Sequence, residues 1–218
     1  LLVVRRGATV LEMAPTLARR MKRCMAEEQN EMLDRLRRSR SQPTLEELLP
    51  DASDHHRVYA EAALPTLAAV VATGAEALAE SDPGVAGSQD PDLAGVVADH
   101  LADRVVRSLR ASTERHLVAA GGQADVTEAM ADGLRQAYRA ARTESLDEFA
   151  EEAVLEAFNR GVLDAMADGT PVVWVGEGTC GACPRRPAGA LVRDTSLVRS
   201  AKVPPLDTGC RCVMVPAR

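Results

Sequence analysis

Apolar residues recur every third or fourth position over most of the chain, and only near its end does the period shorten to two. From Thr9 to Ser41 the positions Leu11, Leu17, Met21, Cys24, Met25, Met32, Leu33 and Leu36 keep helical spacing, which predicts one long helix. Pro15 either kinks it or marks its start. Gln42-Pro43 breaks the pattern. Thr44-Leu45-Glu46-Glu47 then reads as a capping box, with the Thr44 hydroxyl taking the Glu47 N–H and Glu47 reaching back. A short helix runs on to Leu49. Asp54 to Glu80 is again helical, softened by Pro65 and Gly74. The stretch Ser81 to Pro91 is loop by composition and reads as a hinge. Asp92 to Ala120 carries Leu93, Val96, Val97, Leu101, Val105, Leu109 and Leu117 on one stripe and stops at Gly121-Gly122. Asp125 or Thr127 caps a helix that continues through Arg142. The last long helix, Ser145 to Ala167, turns Phe149, Val154, Leu155, Phe158, Val162 and Met166 inward.

Past Asp168-Gly169-Thr170 the period changes. Pro171 to Val175 predicts a short strand holding the one Trp, Trp174, buried within it. Gly176 to Gly178 reads as a turn, residues 184–209 as a loop with a short strand near Ala190–Arg193, and Arg211 to Val215 as a last strand with Cys212 inside it. The fold class expected is mainly α: long helices forming an extended helical body, followed by a small cysteine-pinned α+β module. Three parts follow: a helical arm over 1–90, a helical body over 91–168, and a β-rich cysteine module over 171–218 on which the helix 145–167 packs.

Composition sharpens this picture. Aromatics make up 2% of the 218 residues while 46% are hydrophobic, mostly Ala, Leu and Val, which favours thin helix-on-helix packing. No uninterrupted run of about 18 apolar residues is present, so no membrane span is expected. The chain opens on Leu1 rather than Met, so a longer N-terminus is expected. The net charge of -6 is unevenly spread: ten Lys/Arg face five Asp/Glu over 1–43, and seven face three over 171–218. Basic ends around an acidic middle fit contact with phosphate or an acidic protein surface, and equally fit pairing with that acidic middle. Arg35, Arg37, Arg38 and Arg40 suit the dipole at a helix C-terminus. Cys24 lies on the apolar stripe and reads as a core residue. His55 and His56 point about 100° apart on a helix, cannot easily share a metal, and read as a solvated pair. His100 and His116, inside helices, read as structural. The acidic residues follow solvated helix faces.

Chemistry concentrates in Cys180, Cys183, Cys210 and Cys212. C-x-x-C turns two thiolates toward one point, and C-x-C in a strand places both on one side. Two such pairs can hold a structural zinc in a module too small for a large core of its own. Two disulfides are the alternative, in an oxidising compartment. A thioredoxin-like redox pair needs a helix after the motif, where Pro184 stands, and the zinc deaminase pattern needs an H-x-E that the chain lacks. Four sulfurs leave no open metal position, and no nucleophile set or phosphate loop is legible, so an enzyme is not expected.

These residues carry a resemblance. The block Glu156-Ala-Phe-Asn-Arg-Gly-Val-Leu163, the strand Val173-Trp174-Val175, the pair Cys180 and Cys183, and the ending Pro204-Pro-Leu-Asp-Thr-Gly-Cys-Arg-Cys212 together resemble the C-terminal domain of the phage Mu protein F-like minor head proteins, also called phage head morphogenesis proteins. Gly189 falls on the family's loop glycine. Two departures stand out: the family's His before the third cysteine is Asp207, and the Pro after it is Thr208. Asp207 is then an oxygen ligand in place of the His, an acceptor behind a sulfur ligand, or a sign that the site has sulfur ligands alone. The likeness covers about residues 145–218. It implies a structural protein of the virion, several copies inside the head of a tailed bacteriophage. Such a protein associates with the portal and the capsid interior, is present in the host cytoplasm during assembly, and assists head assembly and DNA packaging or ejection. It implies no membrane partner. The second reading is a module that binds viral double-stranded DNA without sequence preference through Arg185, Arg186, Arg193, Arg199 and Lys202, since residues able to stack on bases are nearly absent.

Overall fold

The structure, a computed structural model, describes residues 1–39, 43–82, 90, 92–121, 125–176, 191–200, 203–205 and 209–217. It is mainly helical, with a small antiparallel sheet near the C-terminus.

Helix α1 (Leu2–Arg38) runs unbroken for 37 residues. It starts well before Thr9 because Leu2, Arg6 and Thr9 continue the same buried face. Pro15 neither starts nor ends it; it lies on the exposed side, where water can serve the carbonyl that loses its donor. The capping box forms as the sequence predicts: the Glu47 N–H donates to Thr44 Oγ1 at 3.3 Å and the Thr44 N–H to Glu47 Oε2 at 2.8 Å, opening α2 (Leu45–Leu48). Asp51 caps α3 (Ala52–Ser81) by accepting from the Ser53 N–H. Helix α4 spans Leu93–Ala120, and Asp125, rather than Thr127, caps α5 (Val126–Ala140). A π-type turn, Ala141–Ser145, leads straight into α6 (Leu146–Asp164), so the break expected there is a widened turn.

Helix α6 is the central element. It packs on α1, α3 and α4, and all but a few of its residues are buried. Its contact with α3 is made backbone to backbone. A Cβ on Gly161 would lie 2.0 Å from the Val71 carbonyl oxygen, and one on Gly74 2.3 Å from that of Phe158. Glycine at both positions lets the helices touch where any side chain would hold them apart. The resulting core is continuous from Leu2 on α1 to Met214 in the sheet.

By length and composition α3 is apolar enough to cross a membrane, although no uninterrupted apolar run marks it. It packs as a core helix: Tyr59, Leu67, Val70 and Leu78 are fully buried. Strand β1 (Pro171–Val175) lies between β2 (Leu191–Val192) and β3 (Val213–Pro216), antiparallel to both. One turn of helix, α7 (Thr195–Val198), follows β2, capped by Asp194.

Candidate functional site

The two described cysteines of the constellation stand at the entry to β3. Cys210 and Cys212 are buried and pack with Trp174 of β1, which is half-buried rather than enclosed. The strand begins at Val213, so Cys212 precedes it instead of lying inside it. Val175 pairs with Val213, which brings Gly176, the next residue, alongside Cys212. A Cβ on Gly176 would come 2.5 Å from Cys212 Sγ. Glycine is thus what allows the chain to leave β1 in contact with this sulfur. The step from Gly176 to Cys180 spans at most about 14 Å of extended chain. The segment carrying one cysteine pair therefore departs from the end of the sheet where the other pair enters. Cys180, Cys183, Asp207, Arg185, Arg186 and Lys202 lie outside the described residues.

Two helices hold this corner. Arg6 of α1, itself buried, donates to the carbonyl of Arg211, the residue between the two cysteines. The Arg211 guanidinium turns outward to Glu151 of α6 at 2.6 Å. Two turns further along α6, Asn159 is fully buried and uses its whole amide. Its Nδ2 donates to the carbonyls of Cys212 and Leu155, each at 3.0 Å, and of Pro204 at 3.4 Å; its Oδ1 accepts from the Met214 N–H at 3.1 Å. A buried side chain amide that meets three carbonyls and one N–H replaces the ladder partners that this edge of β3 would otherwise lack.

Arg160, next to it, is also buried. It donates to Glu156 Oε1 from Nε and Nη2 at 2.9 and 2.6 Å, and to the carbonyls of Val198, the last residue of α7, and Ser200 beyond it. His100 Nδ1 meets the same Glu156 oxygen at 2.9 Å. Burial pushes the Glu156 carboxyl up, but His100 and Arg160 outweigh it and hold it below the ordinary value. The hydrogen bond to Glu156 in turn raises His100, against its own partial burial. The Glu152 side chain, buried beside this group, pairs with Arg104, so Glu152 and Glu156 turn inward while Asp147 and Glu148 of the same helix stay exposed.

Of the basic residues expected on phosphate, the two described are otherwise engaged. Arg193 is buried and closes the C-terminus of α6: Nε donates to the Leu163 carbonyl and NH2 to that of Asp164, both at 3.2 Å, and it pairs with Asp168. As folded it has no face to offer a nucleic acid. Arg199 is at the surface, where Nε and NH2 meet Asp90 Oδ2 at 2.8 and 2.5 Å. Asp92 lies 3.7 Å from the same guanidinium.

A second polar cluster lies in the helical core. Tyr59 OH donates to Glu28 Oε2 at 2.5 Å, and His55 Nε2 lies 2.7 Å from Glu28 Oε1. Tyr138 OH meets Met32 Sδ at 3.6 Å. His55 is therefore buried, not solvated with His56, because the first turns of α3 lie directly on α1. Desolvation holds both tyrosine hydroxyls far above their ordinary range, so they act as fixed donors. With His55, Tyr59 and Tyr138 at no more than 1% exposure, the cluster ties α1 to α3 and α5 without reach for a substrate.

Asn159, Arg160, Arg6 and Gly176 were not legible as site residues one by one. The available signal was the pair Asn159-Arg160 placed between Phe158 and Val162 on the apolar face of a helix, where polar side chains need buried partners. Of the four sulfurs the described residues contribute two, both buried, with Gly176 against one of them. Among the described residues no three ligating side chains converge. Models of known protein families, curated proteins and solved structures were each compared with the chain, and none matches.

Proposed function

We propose that the chain is a structural minor head protein of a tailed bacteriophage. It docks inside the head on the portal, present in several copies, and assists head assembly and DNA packaging or ejection. What supports the reading is where the pieces of the family-like pattern meet. Asn159 from the helix block bonds both Cys212 and Met214, Trp174 from the strand packs on Cys210 and Cys212, and Gly176 touches the Cys212 sulfur. Segments far apart in sequence thus resemble the family at the one corner where they also touch in space.

In this reading the corner is a structural knob. Cys180, Cys183, Cys210 and Cys212 hold a zinc ion, which supplies cross-linking strength and no reaction. Asp207 is an oxygen donor three residues from Cys210 in sequence. The helical body carries the docking surfaces.

The test is to tag the full chain in its phage, purify assembled heads, and cross-link them for mass spectrometry. The reading expects the chain inside heads, cross-linked to portal subunits. Its absence from heads overturns the reading. So does DNA binding by the full chain that persists at physiological salt with no portal cross-link, which would favour the nucleic-acid module. The committed Arg193 and Arg199 weigh against that outcome.

A further inference from the structure

Over its first four turns α1 is apolar on two opposite sides. One side is the buried face of Leu2, Ala14 and Leu17. On the other, Leu1, Val4, Ala8, Leu11 and Pro15 succeed one another in steps of three and four. Leu1, Val4 and Leu11 are 67%, 72% and 80% exposed. Beyond Pro15 the same side of the helix turns polar, with Arg19 and Lys22 in the next positions. The stripe borders an open groove of about 830 Å³ between α1 and α6, floored by Val3, Val10, Ala14 and Leu155. A helix exposed to water throughout would carry charge here, as it does two turns later.

We propose that this stripe is a dimer interface, in which α1 packs antiparallel on α1 of a second copy of the same chain. Steps of three and four are the spacing of a seam between two helices. A two-fold axis at the level of Thr9 and Val10 sets Ala8 against Leu11 of the second copy and Val4 against its Pro15. In that register Glu12 on one flank meets Arg5 of the second copy, twice over. On the other flank Gly7 and Ala14 leave room for the helices to approach. The register one heptad away would instead oppose Arg5 to Arg5. Charge therefore selects both the occupant and its alignment: the sequence that complements this stripe is its own, reversed. Arg5 already holds Glu80 of α3 at 2.7 Å, so the new pair extends an existing one.

The experiment is sedimentation equilibrium of the full chain over a concentration series, for the parent, Leu11→Glu, Glu12→Arg, and Leu64→Glu on α3 as a control. The parent is expected to dimerise reversibly. Leu11→Glu removes two leucines from the seam at about tenfold each, so it weakens the dimer about a hundredfold. Glu12→Arg faces Arg5 with a like charge and weakens it about tenfold. Leu64→Glu leaves it unchanged. Both α1 substitutions fall on exposed positions, so the thermal midpoint at low concentration stays at the parent value and separates lost pairing from lost folding. A chain that is monomeric throughout overturns the proposal. So does a dimer indifferent to Leu11→Glu, or one strengthened by Glu12→Arg.

Discussion

Asn159 is the side chain through which α6 holds β3 and the cysteine segment that leads into it. Replacing it with alanine leaves the Cys212 carbonyl and the Met214 N–H buried without this partner. The expected loss is about 2–4 kcal/mol, read from denaturant unfolding. Asn159→Asp should cost a similar amount, because a carboxylate cannot donate to three carbonyls. An alanine variant as stable as the parent would remove Asn159 from the account. The neighbouring Glu156–His100 pair predicts a pH dependence. The raised His100 contributes stability that is complete below the ordinary histidine value of about 6.5 and is lost as pH rises through its raised one. The lowered Glu156 contributes above the ordinary carboxylate value of about 4.5 and is lost as pH falls through its lowered one. The pair is therefore fully effective between those two values. His100→Gln should flatten the decline of the thermal midpoint between pH 6 and 8. The effect is small, since His100 is half exposed. A decline that persists unchanged in His100→Gln would assign it to other groups.

Among the elements, the α3–α6 crossing is the least forgiving. Gly161→Ala places a methyl group on the Val71 carbonyl, so the helices must separate or bend. A cost of about 2–3 kcal/mol follows, a fall of roughly 4–12 °C in thermal midpoint for a chain of this size. Gly74→Ala should behave alike, and an unchanged midpoint in either would mean that the helices are not in backbone contact. Most elements were legible because their signals are local. The capping box at Thr44, the strand at Pro171 and the short strand near Leu191 each rest on neighbouring residues. The misplaced ends have tertiary causes. Helix α1 begins at Leu2 because its first turns lie on the body of the protein, and Pro15 is tolerated because it faces outward. Cys212 sits before β3, not in it, because the ladder with β1 runs only from Val213 to Pro216. Periodicity sees a face; it does not see what that face touches. His55 and the inward carboxylates Glu28, Glu152 and Glu156 looked solvated for the same reason, as Glu28 meets His55, Glu152 meets Arg104 and Glu156 meets His100 only across helices.

For the whole molecule, one continuous core runs from the helices into the sheet, and Cys210 and Cys212 form a small cluster beside it, linked through Trp174. The sulfurs stood out as a candidate site from residue type and spacing. Their supports did not, since Arg6 stands some two hundred positions from the carbonyl it binds. Arg193, expected on phosphate, was misplaced for the same reason: it closes a helix end that only the fold brings near it. Severing the corner should therefore loosen the C-terminal sheet and leave the helices in place. Cys212→Ser is expected to keep the far-ultraviolet helical signal of the parent while the sheet segments become sensitive to protease. The most direct test of the account is the zinc content and thiol reactivity of the full chain purified under reducing conditions without added metal. One zinc per chain, four of the five cysteines protected until a chelator is added, and loss of the metal in Cys212→Ser are predicted. A folded, metal-free chain whose five thiols all react freely would contradict it.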